Sequence, residues 1–292
     1  MIVTVTPNSA LDRVLFIEEF RPGITMRASK MIQSIGGKGL DASLVLRTLG
    51  GDSLALSFVA GFVGEQLVNL LDEEGIAHDL VCVEGETRVS HVVVETRHQR
   101  HSHIIADALS VSDEACQELL RRCQSHARQA SWIVACGSLP AGIPVTYYRD
   151  IARTAHQSQV PILIDTAGSA ARAALSERPE VLKMNRPELA ETFGVSANSI
   201  AELSVQAKAL VREHHLPALV LTCGEQGVLA VTARETYLAV SPVQKVVNAA
   251  GAGDAISGVL PWRLSLGYSW SEALRWSAAA GAAVVLTEGT AQ

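Results

Sequence analysis

Apolar residues fall along this chain in two alternating rhythms. Short aliphatic blocks end at glycine, proline or asparagine, and longer stretches between them repeat an apolar position every third or fourth residue. The first rhythm predicts buried strands and the second predicts helices with one apolar face. Ile2 to Thr6 reads as a strand broken by Pro7-Asn8-Ser9, followed by short strands at Val14 to Ile17 and Ala28 to Ile35 around Pro22-Gly23. Helix periodicity begins at Leu40 and stops at Gly50-Gly51, a strand covers Leu54 to Val59, and a helix runs from Gly64 to Glu74. Arg88 to Thr96 and His101 to Ala106 pair as a hairpin with a polar tip.

Beyond Ala108 the alternation becomes regular. Helices are predicted at Asp113 to Arg128, Val145 to His156, Ala167 to Leu175, Pro187 to Phe193 and Ala201 to His214. Strands fall between them at Trp132 to Ala135, Pro161 to Asp165, Val181 to Met184 and Ala218 to Thr222. A hairpin, Gly227 to Val231 with Thr236 to Val240, and two helices from Ala255 and Ser271 complete the pattern.

This order predicts an α/β fold, a doubly wound and mostly parallel sheet with helices on both faces. The two segments that break the rhythm, 12–35 and 88–106, predict a small β-sheet lid on a single domain spanning 1–292. Ligands of such sheets lie beyond the carboxyl ends of the strands, which directs attention to the loops after Thr6, Gly137, Asp165, Asn185, Thr222 and Asn248.

Composition narrows the class. With 292 residues, 48% hydrophobic and 18% charged, the chain has ample material for one large core. A net charge of −6 without a long basic run gives no footprint for nucleic acid. Apolar runs are too short to span a bilayer, no signal peptide is recognised, and the five cysteines are scattered without a C-x-x-C pair. The expectation is a reduced, cytoplasmic protein with no membrane partner.

Candidate chemistry collects at the strand ends. Gly251-Ala252-Gly253 opens a helix whose amides and dipole suit an anion, and Asp254 follows in the same turn. A carboxylate there either caps the helix or serves as base for a hydroxyl attacking the anion. Gly36-Gly37-Lys38-Gly39 is a glycine turn able to meet a polar ligand, though it is not a Walker A loop. Asn185 and Glu188 either cap a helix or hold Mg²⁺, which needs few protein oxygens. Thr222, Gly224 and Gly227 suit nucleotide phosphates or a tight hairpin. Asp12 stands at the mouth of the first lid strand, while Lys38 and Arg88 are cations near the lid. His98, His101 and His103 read as a polar hairpin tip.

In this order the motifs resemble those of the ribokinase-like sugar kinases, phosphofructokinase-B branch. The matching stretches are T-P-N-S-A-L-D (Thr6 to Asp12), G-G-K-G (Gly36 to Gly39), T-R (Thr87, Arg88), G-S-L-P-A-G (Gly137 to Gly142), D-T-A-G (Asp165 to Gly168), K-M-N-R-P-E (Lys183 to Glu188), T-C-G-E-Q-G (Thr222 to Gly227) and G-A-G-D (Gly251 to Asp254). The resemblance implies an ATP-dependent kinase whose lid closes over a sugar, often at a homodimer contact. Asp254 would be the base, and the amides of Gly251, Ala252 and Gly253 would hold the transferring phosphoryl group. Asn185 and Glu188 would organise Mg²⁺, and Lys183, Asn185, Thr222, Gly224 and Gly227 would lie near the nucleotide. Asp12, Gly36, Gly37 and Asp41 would meet the sugar. A monovalent cation such as K⁺ near the anion loop is common in such enzymes. The first motifs look most like the group acting on ketohexose phosphates, such as 1-phosphofructokinase and tagatose-6-phosphate kinase, with Lys38 and Arg88 on the phosphate already present.

The chain departs from that pattern in places. Asp41 stands where Asn is usual, Ala106-Asp107-Ala108 where Pro-Gly is common, and Pro261 falls inside the helix led by Asp254, where it is expected to bend it. The expected function is an ATP-dependent kinase of a phosphorylated ketohexose. Asp41 also admits an unphosphorylated sugar or nucleoside, and a non-catalytic ligand sensor on the same fold is the alternative from another class.

Overall fold

The structure, a computed structural model, describes residues 1–106 and 108–291. Asp107, part of one departure noted above, lies outside the described residues. Seven strands pair in parallel at the centre of the molecule: β1 (Ile2–Thr6), β4 (Ser53–Val59), β5 (Ala77–Cys82), β8 (Trp132–Cys136), β9 (Ile162–Asp165), β10 (Val181–Asn185) and β11 (Ala218–Thr222). The antiparallel strands β12 (Val228–Thr232) and β13 (Thr236–Ala239) extend one edge, giving the order β13-β12-β11-β10-β9-β8-β1-β4-β5.

Both faces of this sheet are covered, because successive side chains of a strand point to opposite sides. From β8, Ile133 and Ala135 join one core with Leu119, Tyr148 and Ile151, supplied by α3 (Asp113–Ala127) and α4 (Tyr147–Gln157). Trp132, Val134 and Cys136 enter the opposite core with Ile256, Leu260 and Leu274, from α8 (Ala252–Ser265) and α9 (Trp270–Val284). Buried on both sides, the central strands need aliphatic residues at every position, which is why they read as unbroken apolar runs. The other helices are α1 (Lys38–Thr48), α2 (Gly61–Glu73), α5 (Gly168–Ala174), α6 (Arg186–Phe193) and α7 (Ile200–Glu213). Pro261 lies inside α8, which is continuous from Ala252 to Ser265.

A second sheet has the order β3-β2-β6-β7 and is built from β2 (Ala10–Ile17), β3 (Lys30–Gly36), β6 (Arg88–Glu95) and β7 (Arg100–Ile105). Its inner face carries Val14, Phe16, Val92 and Val94 against Ala250, whereas all of β7 is exposed.

Two local expectations need correction. The strand β5 was not expected, because His78 and Asp79 interrupt its apolar pattern. As an edge strand it buries little, and Asp79 turns out to meet Arg122 and His126 of α3. The strand β2 begins at Ala10 rather than Val14, so Asp12 sits inside it, 6% exposed, and not at its mouth. Pairing with β3 and β6 over its length overrides the polar residues that mask it in the sequence.

Candidate active site

The strand order diverges at β1, which pairs with β4 on one side and β8 on the other. Chain leaving the carboxyl ends of β1 and β8 therefore parts in opposite directions and leaves a crevice. Asn8 Nδ2 donates to Ser138 Oγ across it at 2.9 Å. A cavity of about 630 Å³ opens there, lined among others by Asp12, Lys38, Asp41, Arg88, Glu188 and Asp254.

The amino end of α8 forms part of its wall. Gly251, the residue before the helix, has φ +84°, a left-handed conformation that favours glycine, and a Cβ there would lie 2.6 Å from the Ala291 backbone nitrogen. Gly251 at the N-cap has no side chain, and Asp254 stands in the first turn and lines the cavity. A second cavity, of about 560 Å³, lies beyond the same turn and is lined by Thr222, Gly224, Gly227, Ala252, Gly253 and Gly281, among others. One helix terminus thus separates two cavities, with Gly251 and Asp254 on one side and Ala252 and Gly253 on the other.

Beneath that turn lies Asp165, the first residue of D-T-A-G, for which the sequence predicts no role. It closes the apolar strand β9 and is fully buried. Lys183 Nζ donates to its Oδ2 at 2.6 Å, Ser257 Oγ to the same oxygen at 2.7 Å, and Lys38 Nζ to its Oδ1 at 2.9 Å. Burial opposes its charge, but Lys183 and Lys38 outweigh burial and hold its pKa below the usual carboxylate range. For Lys38, burial is likewise outweighed, by Asp165, Glu188 and Asp254, so its ammonium persists. An aspartate ending an otherwise apolar buried strand was the available signal, since such a charge needs partners.

The other carboxylates behave differently. Burial pushes Asp254 up to about 6, against the pull of Lys183 and Lys38. Burial also lifts Asp12 to about 6, although Thr290 and Ser90 hydrogen bonds and the Arg88 charge work to lower it. Thr290 Oγ1 donates to Asp12 Oδ2 at 2.9 Å, and Ser34 Oγ donates to the Thr290 carbonyl at 3.1 Å. Asp41, 3% exposed, is raised well above the ordinary range by burial, then by Asp254 and Asp12.

The remaining expected residues divide. Gly36 leaves room for Asp12, whose carboxylate a Cβ would strike, and Gly37 lines the first cavity. Arg88 lines it too and donates to the Asn8 and Ser9 carbonyls at 3.2 and 3.4 Å, holding the turn after β1. Lys38, expected at a substrate phosphate, is engaged by Asp165 and by Glu188 Oε1 at 2.8 Å. Asn185 and Glu188 form a capping box on α6: Glu188 N–H donates to Asn185 Oδ1 at 2.8 Å and Asn185 N–H to Glu188 Oε2 at 2.7 Å. The free side of Glu188 meets a cation, the Lys38 ammonium. Lys183, expected near the nucleotide, is 3% exposed beneath α8, its ammonium 3.4 Å from where a Gly253 Cβ would sit. His101 and His103 lie on β7 with ring centroids 5.6 Å apart. Among the described residues no helix is long and apolar enough to cross a membrane.

The family model described as pfkB family carbohydrate kinase matches residues 6–292. The chain is 31% identical over 290 residues to the ATP-dependent 6-phosphofructokinase isozyme 2 of Mycobacterium tuberculosis, covering 99% of this chain and 85% of that protein. It is 31% identical over 288 residues to the 1-phosphofructokinase of Bacillus subtilis, covering 99% and 93%. Among solved structures, phosphofructokinase-2 from Escherichia coli in complex with potassium superposes with a TM-score of 0.91 at 25% identity, covering 99% of this chain and 94% of that one.

Proposed function

The chain belongs to the pfkB family of carbohydrate kinases and is an ATP-dependent sugar kinase; from that premise we propose that it phosphorylates a ketohexose phosphate. The sugar occupies the acidic cavity and ATP the other. One observation carries this reading: the amino end of α8 is a wall common to both cavities, with Asp254 facing the first. Phosphoryl transfer is largely positioning and charge stabilisation, and a terminus shared between two pockets supplies both.

In the reaction, Asp254 takes the proton of the sugar hydroxyl as its oxygen bonds to the γ-phosphorus. The bond from that phosphorus to the β–γ bridging oxygen breaks, and ADP leaves with the electron pair. The amides of Gly251, Ala252 and Gly253 stabilise the charge on the transferring group, aided by the helix dipole and the nearby Lys183 ammonium. Asp12 and the Gly36-Gly37 turn orient the sugar, and Arg88 draws its phosphate. Thr222, Gly224 and Gly227 bound the nucleotide side.

Glu188, with Asn185, would hold Mg²⁺. The fit is chemical, since Glu188 Oε1 already faces a cation in Lys38 and hard oxygens suit the ion. Bound Mg²⁺ would neutralise phosphate charge. A monovalent cation near the α8 turn finds support in the potassium complex of the Escherichia coli protein. The exposed strand β7, with Ile104 and Ile105 more than half exposed, supports a homodimer through the small sheet. Five free cysteines support a cytoplasmic setting.

An unphosphorylated sugar is the second reading, favoured by the engagement of Lys38 with two carboxylates. A coupled ADP-release assay over fructose 1-phosphate, fructose 6-phosphate, tagatose 6-phosphate, free ketohexoses and nucleosides separates the two. Turnover confined to the ketose phosphates is expected. Turnover confined to free sugars or nucleosides would overturn the proposal.

A further inference from the structure

Asp41 is the residue that the proposed mechanism leaves unexplained. It lies on α1, 3% exposed, where α1 packs against α8, and it lines the sugar-side cavity. One of its oxygens is within hydrogen-bonding reach of Asp254, while Oδ1 is buried with no hydrogen-bond partner. Two carboxylates in such contact cannot share a hydrogen bond unless one carries a proton.

The surroundings decide which one. Asp254 feels Lys183 and Lys38, which favour its charge ahead of the opposing Asp165 and Glu188. Asp41 feels first Asp254 and then Asp12 from β2, both negative, with one backbone hydrogen bond from Gly37 in compensation. Lys38, on the same helix, is turned toward Asp165 and Glu188. The strands β1, β4 and β8, which also pack on α1, bring no charged side chain, and β3 brings Lys30, which is engaged by Glu288. Arg88, from β6, acts on Asp12. An ionised Asp41 would thus be a buried anion facing anions, with one oxygen unsolvated. As a neutral acid it has a donor for Asp254 and leaves an uncharged carbonyl as the unpartnered atom, which costs far less.

We infer that Asp41 serves this kinase as a neutral carboxylic acid, donating its proton to the Asp254 carboxylate and offering its other oxygen, uncharged, to a hydroxyl of the sugar. It is a positioning residue. Its hydrogen bond fixes the orientation of Asp254, and its neutrality removes a charge that would repel a phosphorylated substrate. One donor and one acceptor is also what an asparagine side chain would present there. Burial and the two neighbouring carboxylates, which hold the pKa of Asp41 well above its ordinary range, are consistent with this state. The inference rests on the sugar-phosphate reading for its catalytic half alone.

Two measurements on the intact enzyme test it. The first is infrared difference spectroscopy at neutral pH, which detects the carbonyl stretch of a protonated carboxyl group without any turnover. The band is expected in the wild type, retained in Asp12→Asn and lost in Asp41→Asn. Asp41→Ser provides a second variant with the same expected loss. A spectrum unchanged by either Asp41 substitution would overturn the inference.

The second is the pH profile of kcat/KM on the ketose phosphate. The wild type should lose about tenfold per pH unit on the alkaline side, once Asp41 ionises. Asp41→Asn, which cannot ionise, should lack that limb while keeping the acid limb that belongs to Asp254. An identical alkaline limb in the two would overturn the positioning role even if the band is present. If no ketose phosphate is turned over, the substrate reading fails and the catalytic half falls with it. The infrared band then still decides whether Asp41 is neutral.

Discussion

Two sets of carboxylates flank the α8 turn, and they titrate in opposite directions. Asp165 accepts hydrogen bonds from two ammonium groups and a hydroxyl, and it is held ionised. Asp12, Asp41 and Asp254 lie nearby, and each is pushed up. Desolvation raises all four, so desolvation alone assigns no role. The sign of the neighbours does. A carboxylate fixed as an anion can organise cations but cannot take up a proton near neutrality. A carboxylate poised at about 6 can do so.

The sharpest break of this comparison is Asp254→Asn. It should lower kcat by about 10²–10⁴ if the base is lost, while the urea midpoint of unfolding stays level or rises, because a partly desolvated charge is removed. A fall in the midpoint without a fall in rate would make Asp254 a structural anchor. Asp165→Asn should act the other way. Leaving Lys183 and Lys38 without their shared anion is expected to cost about 3–5 kcal/mol of stability, read from urea unfolding. A loss under about 1 kcal/mol would erase the distinction between the two sets. The smallest effect concerns pH. Protonated Asp254 cannot accept the hydroxyl proton, so kcat/KM should fall about tenfold for each unit below about 6. Asp165, whose pKa is lowered, stays ionised there, so the protein should remain folded across the same range. A rate profile level through that region would move the base elsewhere.

The same contrast explains what could be read from the sequence. Alternation of aliphatic strands and amphipathic helices was legible because a doubly covered parallel sheet demands it at nearly every residue. The strand β5 escaped because an edge position tolerates His78 and Asp79. Gly251 to Asp254 stood out as candidate chemistry, since a carboxylate directly after a glycine turn is a local arrangement. Asp165 and Ser257 were not, because they meet across 92 residues of chain and neither is unusual alone. Asn185 and Glu188 read in the sequence as a cap or as a metal pair, and the structure shows the capping box in full. Asp41 stood out as a departure, yet its state depends on Asp254 and Asp12, which only the packing of α1 against α8 and the small sheet brings close.

The segment Glu288 to Ala291 runs between the small sheet and the α8 turn. Glu288 pairs with Lys30, Thr290 with Asp12 and Ser34, and the Ala291 backbone lies against Gly251. It therefore acts as a tether with both ends loaded. A swing of the small sheet away from the cavity should tug the glycine turn with it, so that opening the cavity and shifting the amino end of α8 become one movement. The return swing should restore both, so that ATP would be spared attack by water while the small sheet is open and no sugar is in place.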